Sequence, residues 1–117
     1  MIRYDKTTFR VRGEADSPVA HYHQEGDLVW AEFGGGRARR GAVVGTCDPD
    51  GVLLLTYCMV LRGGDLISGQ CLSTPELLPD GRILLTEQWE RYGRHAATGI
   101  SYLEQVPVSH PIPDPHL

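Results

Sequence analysis

A chain of 117 residues holds enough material for one modest core and too little for two. Its formal charge of −4 lacks the basic footprint that nucleic-acid phosphates demand, and anionic membranes would repel it weakly. The longest apolar-rich run, 52–61, is interrupted by Thr56 and falls far short of the roughly 20 residues a membrane helix needs, so no membrane partner is expected.

The opening stretch MIRYDKTTFR is charged and lacks an apolar segment of signal-peptide length. Cys47, Cys58 and Cys71 are odd in number and without C-x-x-C spacing, as suits small buried side chains in a reducing compartment. A cytoplasmic location is therefore expected.

Taken in order, strand-like runs alternate with turn signals. TTFRVR (7–12) precedes the turn GEADSP; VAHYHQ (19–24) leads through QEGD into LVWAEF (28–33); GGG then introduces RARRGAVVGTC (37–47). DPDG separates this from VLLLTYCMVL (52–61), RGG leads to LISGQCLS (66–73), LPDG to RILLTEQW (82–89), and GRHAATG to ISYLEQV (100–106). No segment offers an amphipathic helix of ten residues or more; STPELL would form one turn at most. Short connections make sequence neighbours antiparallel neighbours. Closing such a meander covers its apolar face and removes both edges, so the expectation is an all-β, antiparallel, up-and-down eight-strand barrel, with a two-sheet sandwich as the competitor. The barrel domain is placed at 1–106 and a proline-rich tail, PVSHPIPDPHL, at 107–117.

Register follows from the loops. If RGG is a three-residue loop with Gly64 left-handed, Met59 faces Ile67, Tyr57 faces Gly69 and Leu55 faces Cys71. A five-residue loop over 48–52 sets Leu55, Tyr57 and Met59 opposite Gly45, Val43 and Gly41. Glycines across from large side chains would leave volume beside Tyr57.

Period two in RILLTEQW puts Glu87 on the same face as Ile83, Leu85 and Trp89. A carboxylate removed from water costs several kcal/mol unless it is paired or protonated. Glu87 is thus the leading candidate for proton transfer, with Tyr57, Tyr22, Gln105 and Arg39 as partners across the cavity. Phe33, Met59 and Trp89 would offer flat apolar surface to a ligand. The bland alternative is a structural Glu satisfied by Arg39 or a backbone amide. Trp30 points to the other side and would serve a homodimer.

Other patterns fall short of chemistry. His21 and His23 lack the further ligands of a metal site, and His95, His110 and His116 lie in a loop and the tail, so no metal is expected. GGGRARRG lacks the Lys-Ser/Thr ending of a phosphate loop and opens a strand; Arg37, Arg39 and Arg40 suit a barrel rim. Neither Cys71 nor Ser73 has a histidine placed to activate it.

The segments TFR (8–10), GGGRARRGAVVG (34–45), DPDG, SGQCLSTPELLPDGRILLTEQW (68–89) and GISYLE (99–104) resemble a family of short bacterial proteins of uncharacterised function, many labelled N-acetylglutamate synthase in error. That resemblance implies a lipocalin-like (calycin) barrel and places Glu87 and Trp89 in the shared motif. It lends the acetyltransferase label no support, since no pyrophosphate loop opens a helix.

The expected function is binding of one small, largely hydrophobic molecule in the barrel cavity, without a cofactor, on a Glu87/Tyr57 anchor. The alternatives are a cofactor-independent cyclase or isomerase acting on a biosynthetic intermediate, and a structural homodimer without ligand.

Overall fold

The computed structural model describes residues 2–107. Eight strands follow one another: β1 Thr7–Val11, β2 Val19–Glu25, β3 Leu28–Gly35, β4 Ala38–Cys47, β5 Leu53–Leu61, β6 Leu66–Leu77, β7 Ile83–Arg91 and β8 Ala97–Gln105, with a 3-10 turn at Gly93–His95 before β8. Each pairs antiparallel with the next, and β1 returns to β8, closing an up-and-down barrel in place of a sandwich. Residues 108–117, most of the expected tail, lie outside the described residues.

The loops set the register as their chemistry requires. Gly64 adopts φ +94°, Leu61 N–H donates to the Asp65 carbonyl at 2.8 Å, and Met59, Tyr57 and Leu55 then face Ile67, Gly69 and Cys71. On the other flank Asp48 Oδ1 accepts from the N–H groups of Asp50 and Val52, both at 2.9 Å, and Leu55, Tyr57 and Met59 face Gly45, Val43 and Gly41.

One element is longer than its sequence suggests. β6 runs on through Pro75 to Leu77, beyond the strand end expected at Ser73, over residues to which the sequence allows one helical turn at most. β5 pairs with β6 only as far as Leu53–Ser73, whereas β7 continues to Leu77–Ile83. Pro75 therefore lies where β6 is an edge, the one setting in which a strand tolerates a missing donor.

The two halves of the barrel differ in filling. Towards the end holding the β2–β3, β4–β5 and β6–β7 turns, Tyr4, Phe9, Val29, Leu53, Leu55 and Leu85 are fully or almost fully buried, each apolar side chain contributing about 1.5–3 kcal/mol. The segment preceding β1 plugs this end. Tyr4 donates its hydroxyl to the Gly51 carbonyl and its N–H to Gln24 Oε1 at 2.8 Å, and its ring packs 6.2 Å from Phe9 and 6.1 Å from Tyr22. At the other end the inward side chains Phe33, Val43, Tyr57, Met59 and Trp89 are only partly buried.

Candidate functional site

Alternation along β7 sends Ile83, Leu85, Glu87, Trp89 and Arg91 inward in turn, from the plugged end to the open one. The first two complete the packed half. Above them lies a cavity of about 240 Å³, with Glu87 half-way along its strand. Tyr22 of β2, Phe33 of β3, Tyr57 and Met59 of β5 and Trp89 of β7 line the remaining walls. Cavity volume does not come from the glycines themselves. A Cβ on Gly41 would overlap the Phe33 ring and one on Gly99 the Trp89 ring, while Tyr57 Oη lies over Gly69. The rings lie on the glycines, and the cavity is the space left between them.

Glu87 faces Ser73 of β6 and Ser101 of β8 across the sheet. Among the described residues it forms no ion pair. Burial pushes its carboxyl above the ordinary range, opposed by contact with the Cys71 thiol. Its neighbours respond to burial and to that acid. The Cys71 thiol is pushed up to about 12, first by burial and then by Glu87. Tyr22 is raised well above its usual value by the same two causes in the same order. Burial also raises Tyr57, whose hydroxyl donates to the Glu90 carbonyl at 3.3 Å, while Arg91 draws it down. The Ser73 hydroxyl is fully buried and has no hydrogen-bond partner among the described residues. Trp89 is fixed by donating Nε1–H to Ser101 Oγ at 3.1 Å. An acid held towards its neutral form by burial, facing hydroxyls in a mostly apolar chamber, can donate or accept a hydrogen bond and exchange a proton with a bound molecule.

Six of the expected site residues border the cavity together: Tyr22, Phe33, Tyr57, Met59, Glu87 and Trp89. Two do not, and both placements are corrected. A β-bulge between Ala38 and Arg40 turns Ala38 inward and leaves Arg39 exposed with Arg40, so Arg39 neither lines the cavity nor satisfies Glu87. Gln105 sits at the plugged end, where its Oε1 accepts from Ile83 N–H at 3.0 Å. Sequence reasoning missed Arg91 at the open end; extending the period-two reading of RILLTEQW by two residues would have found it.

The histidine pattern points outwards. His21 meets Thr8 Oγ1 at 3.2 Å, and His23 pairs with Glu32 at 2.8 Å while stacking on Trp30 with centroids 5.3 Å apart. No metal-holding cluster occurs among the described residues. His110 and His116 lie outside them.

A family model described as avidin-like protein matches residues 2–106, the whole of the barrel. No curated protein and no solved structure matches the chain.

Proposed function

Because the chain belongs to the avidin-like family, we propose that its barrel binds one small, largely apolar molecule in the half-open cavity, with Glu87 and Tyr57 as polar anchors. Membership supports small-molecule binding in the barrel at a general level. The observation carrying the finer reading is the cavity of about 240 Å³ with apolar walls and an acid on its inner surface. That volume falls just under the roughly 300–1,000 Å³ of drug-sized pockets, so the ligand is compact and most of its surface is covered. The three free cysteines, two of them buried, accord with a cytoplasmic setting. Native mass spectrometry of the freshly purified protein tests the proposal: a retained small molecule is expected, lost in a cavity-filling Val43→Trp variant. Retention of the same mass by that variant overturns it.

A second reading is favoured by the same raised carboxyl. Glu87, once ionised, takes a proton from an acidic carbon of the bound molecule and returns it elsewhere, an isomerisation or cyclisation that needs no outside reactant. Holding the substrate in a reactive shape supplies much of such catalysis. Glu87→Gln separates the two readings, because normal binding with lost turnover marks a catalyst and parallel loss of binding marks a carrier.

A third reading, a homodimer, draws on Trp30 of the outer wall, whose cross-strand neighbour Val44 is 50% exposed and whose strand begins at the exposed Leu28. Size-exclusion of Trp30→Ala would then show a monomer.

A further inference from the structure

The formal charge of −4, from which weak repulsion by anionic membranes is expected, is unevenly placed. The loops at the open end, residues 12–18, 35–40, 61–66 and 91–97, carry seven arginines against three acids, a net +4 that leaves the rest of the chain at −8. Within that end the signs separate again. Glu14 and Asp16 belong to the β1–β2 loop, whereas the other three loops hold Arg37, Arg39, Arg40, Arg62, Arg91 and Arg94 against Asp65 alone. All six arginines but the half-buried Arg91 are exposed, and among the described residues none of them forms an ion pair.

Polar contacts join the three loops into one face. Arg62 donates its backbone N–H to the Arg37 carbonyl at 3.1 Å and its Nε–H to the Gly36 carbonyl at 2.6 Å, and His95 Nε2 lies 3.8 Å from Asp65 Oδ2. Two apolar side chains stand at the same edge in water. Leu66 is 74% exposed, the most of any large apolar residue described, and Tyr92 is 46% exposed. Tyr92 N–H donates to the Ser68 carbonyl at 2.9 Å, which sets it two residues along β6 from Leu66. A nucleic-acid backbone asks for cations and polar groups and gives such apolar side chains no cover. An anionic bilayer accepts both, because headgroups pair with arginines while the interface takes up a leucine and an amphipathic tyrosine ring. Charge divided in this way also orients the molecule, since the acidic remainder is repelled by the same surface.

We propose that the open end of the barrel docks on an anionic lipid bilayer through the arginines of three loops, with Leu66 and Tyr92 entering the headgroup region. The cavity then opens towards the membrane, and an apolar ligand passes between the two without crossing water. That passage rests on the cavity being the ligand site; the docking does not.

The full chain is sedimented at low ionic strength with vesicles of phosphatidylcholine alone, or of phosphatidylcholine and phosphatidylglycerol in equal parts. Binding about tenfold or more tighter to the anionic vesicles is expected, and added salt should erase most of the difference. Arg39→Glu/Arg40→Glu should bring the preference to about one, whereas Arg3→Glu/Lys6→Glu, the same change in charge made at the plugged end, should weaken binding by no more than about twofold. Leu66→Ser, with its circular dichroism unchanged, should bind the anionic vesicles about threefold or more weakly. Equal binding to both vesicles, equal losses in the two double variants, or undiminished binding by Leu66→Ser overturns the proposal and leaves the cavity standing. Binding of a short DNA duplex without binding of anionic vesicles overturns it in favour of a nucleic acid. Vesicle binding as expected by a protein that retains no small molecule in native mass spectrometry supports the docking and removes the passage.

Discussion

Glu87 is the proposed polar anchor because it is the one acid that β7 sends into the barrel. Burial raises its carboxyl above the 4.5 of an unfolded chain, so the folded state holds the proton more tightly. The resulting stabilisation is fully present below about pH 4.5 and is lost as pH rises through the folded value. Glu87→Gln abolishes that titration. Urea denaturation over this window should therefore show the wild type losing stability relative to the variant as pH climbs, and parallel curves would mean a solvated carboxyl. The residue was legible in the sequence because a lone acid among Ile83, Leu85 and Trp89 breaks an apolar period. Arg39 was misread for the opposite reason. A bulge adds one residue without changing composition, and it inverts the facing of the residues beyond it.

Among the elements, β5 shows where periodicity ends. VLLLTYCMVL is apolar on both faces, and only the loops beside it oriented Leu53, Leu55, Tyr57 and Met59 inward. Glycines facing inward then divide into two kinds. A Cβ on Gly99 would meet the Trp89 ring, a side chain able to swing aside into the cavity. A Cβ on Gly45 would meet the carbonyl oxygen of Leu54 and the Cα of Leu55, which belong to the paired strand and cannot swing. Gly45→Ala is expected to cost more than about 3 kcal/mol, the upper end of ordinary overpacking. Gly99→Ala should cost about 1 kcal/mol while weakening retention of the cavity's small molecule, since the displaced indole occupies the ligand's volume. Chemical denaturation and native mass spectrometry on the two variants read both effects, and equal losses of stability would show that ring and backbone yield alike.

At the scale of the whole molecule, the barrel is plugged and packed at one end and hollow at the other, which separates what stabilises it from what it does. The seam closing it is short, three pairs from Phe9–Gln105 to Val11–Leu103. The segment bearing Tyr4 braces that end from inside, tying it to Gln24 on β2 and Gly51 between β4 and β5. Nothing in MIRYDKTTFR announces this, because a single aromatic between charges has no period, and its burial depends on an opening that only the closed sheet creates. Tyr4→Ala removes a fully buried ring and should cost about 3–5 kcal/mol. Tyr4→Phe keeps the ring but strips the Gly51 carbonyl of its donor, for about 1–3 kcal/mol. Tyr4 does not line the cavity, so native mass spectrometry of Tyr4→Phe should show the same retained molecule as the wild type even as its urea midpoint falls. A retention that fell along with the midpoint would mean that the plug and the rim form one cooperative unit, and that the hollow half is held open by the packed half beneath it.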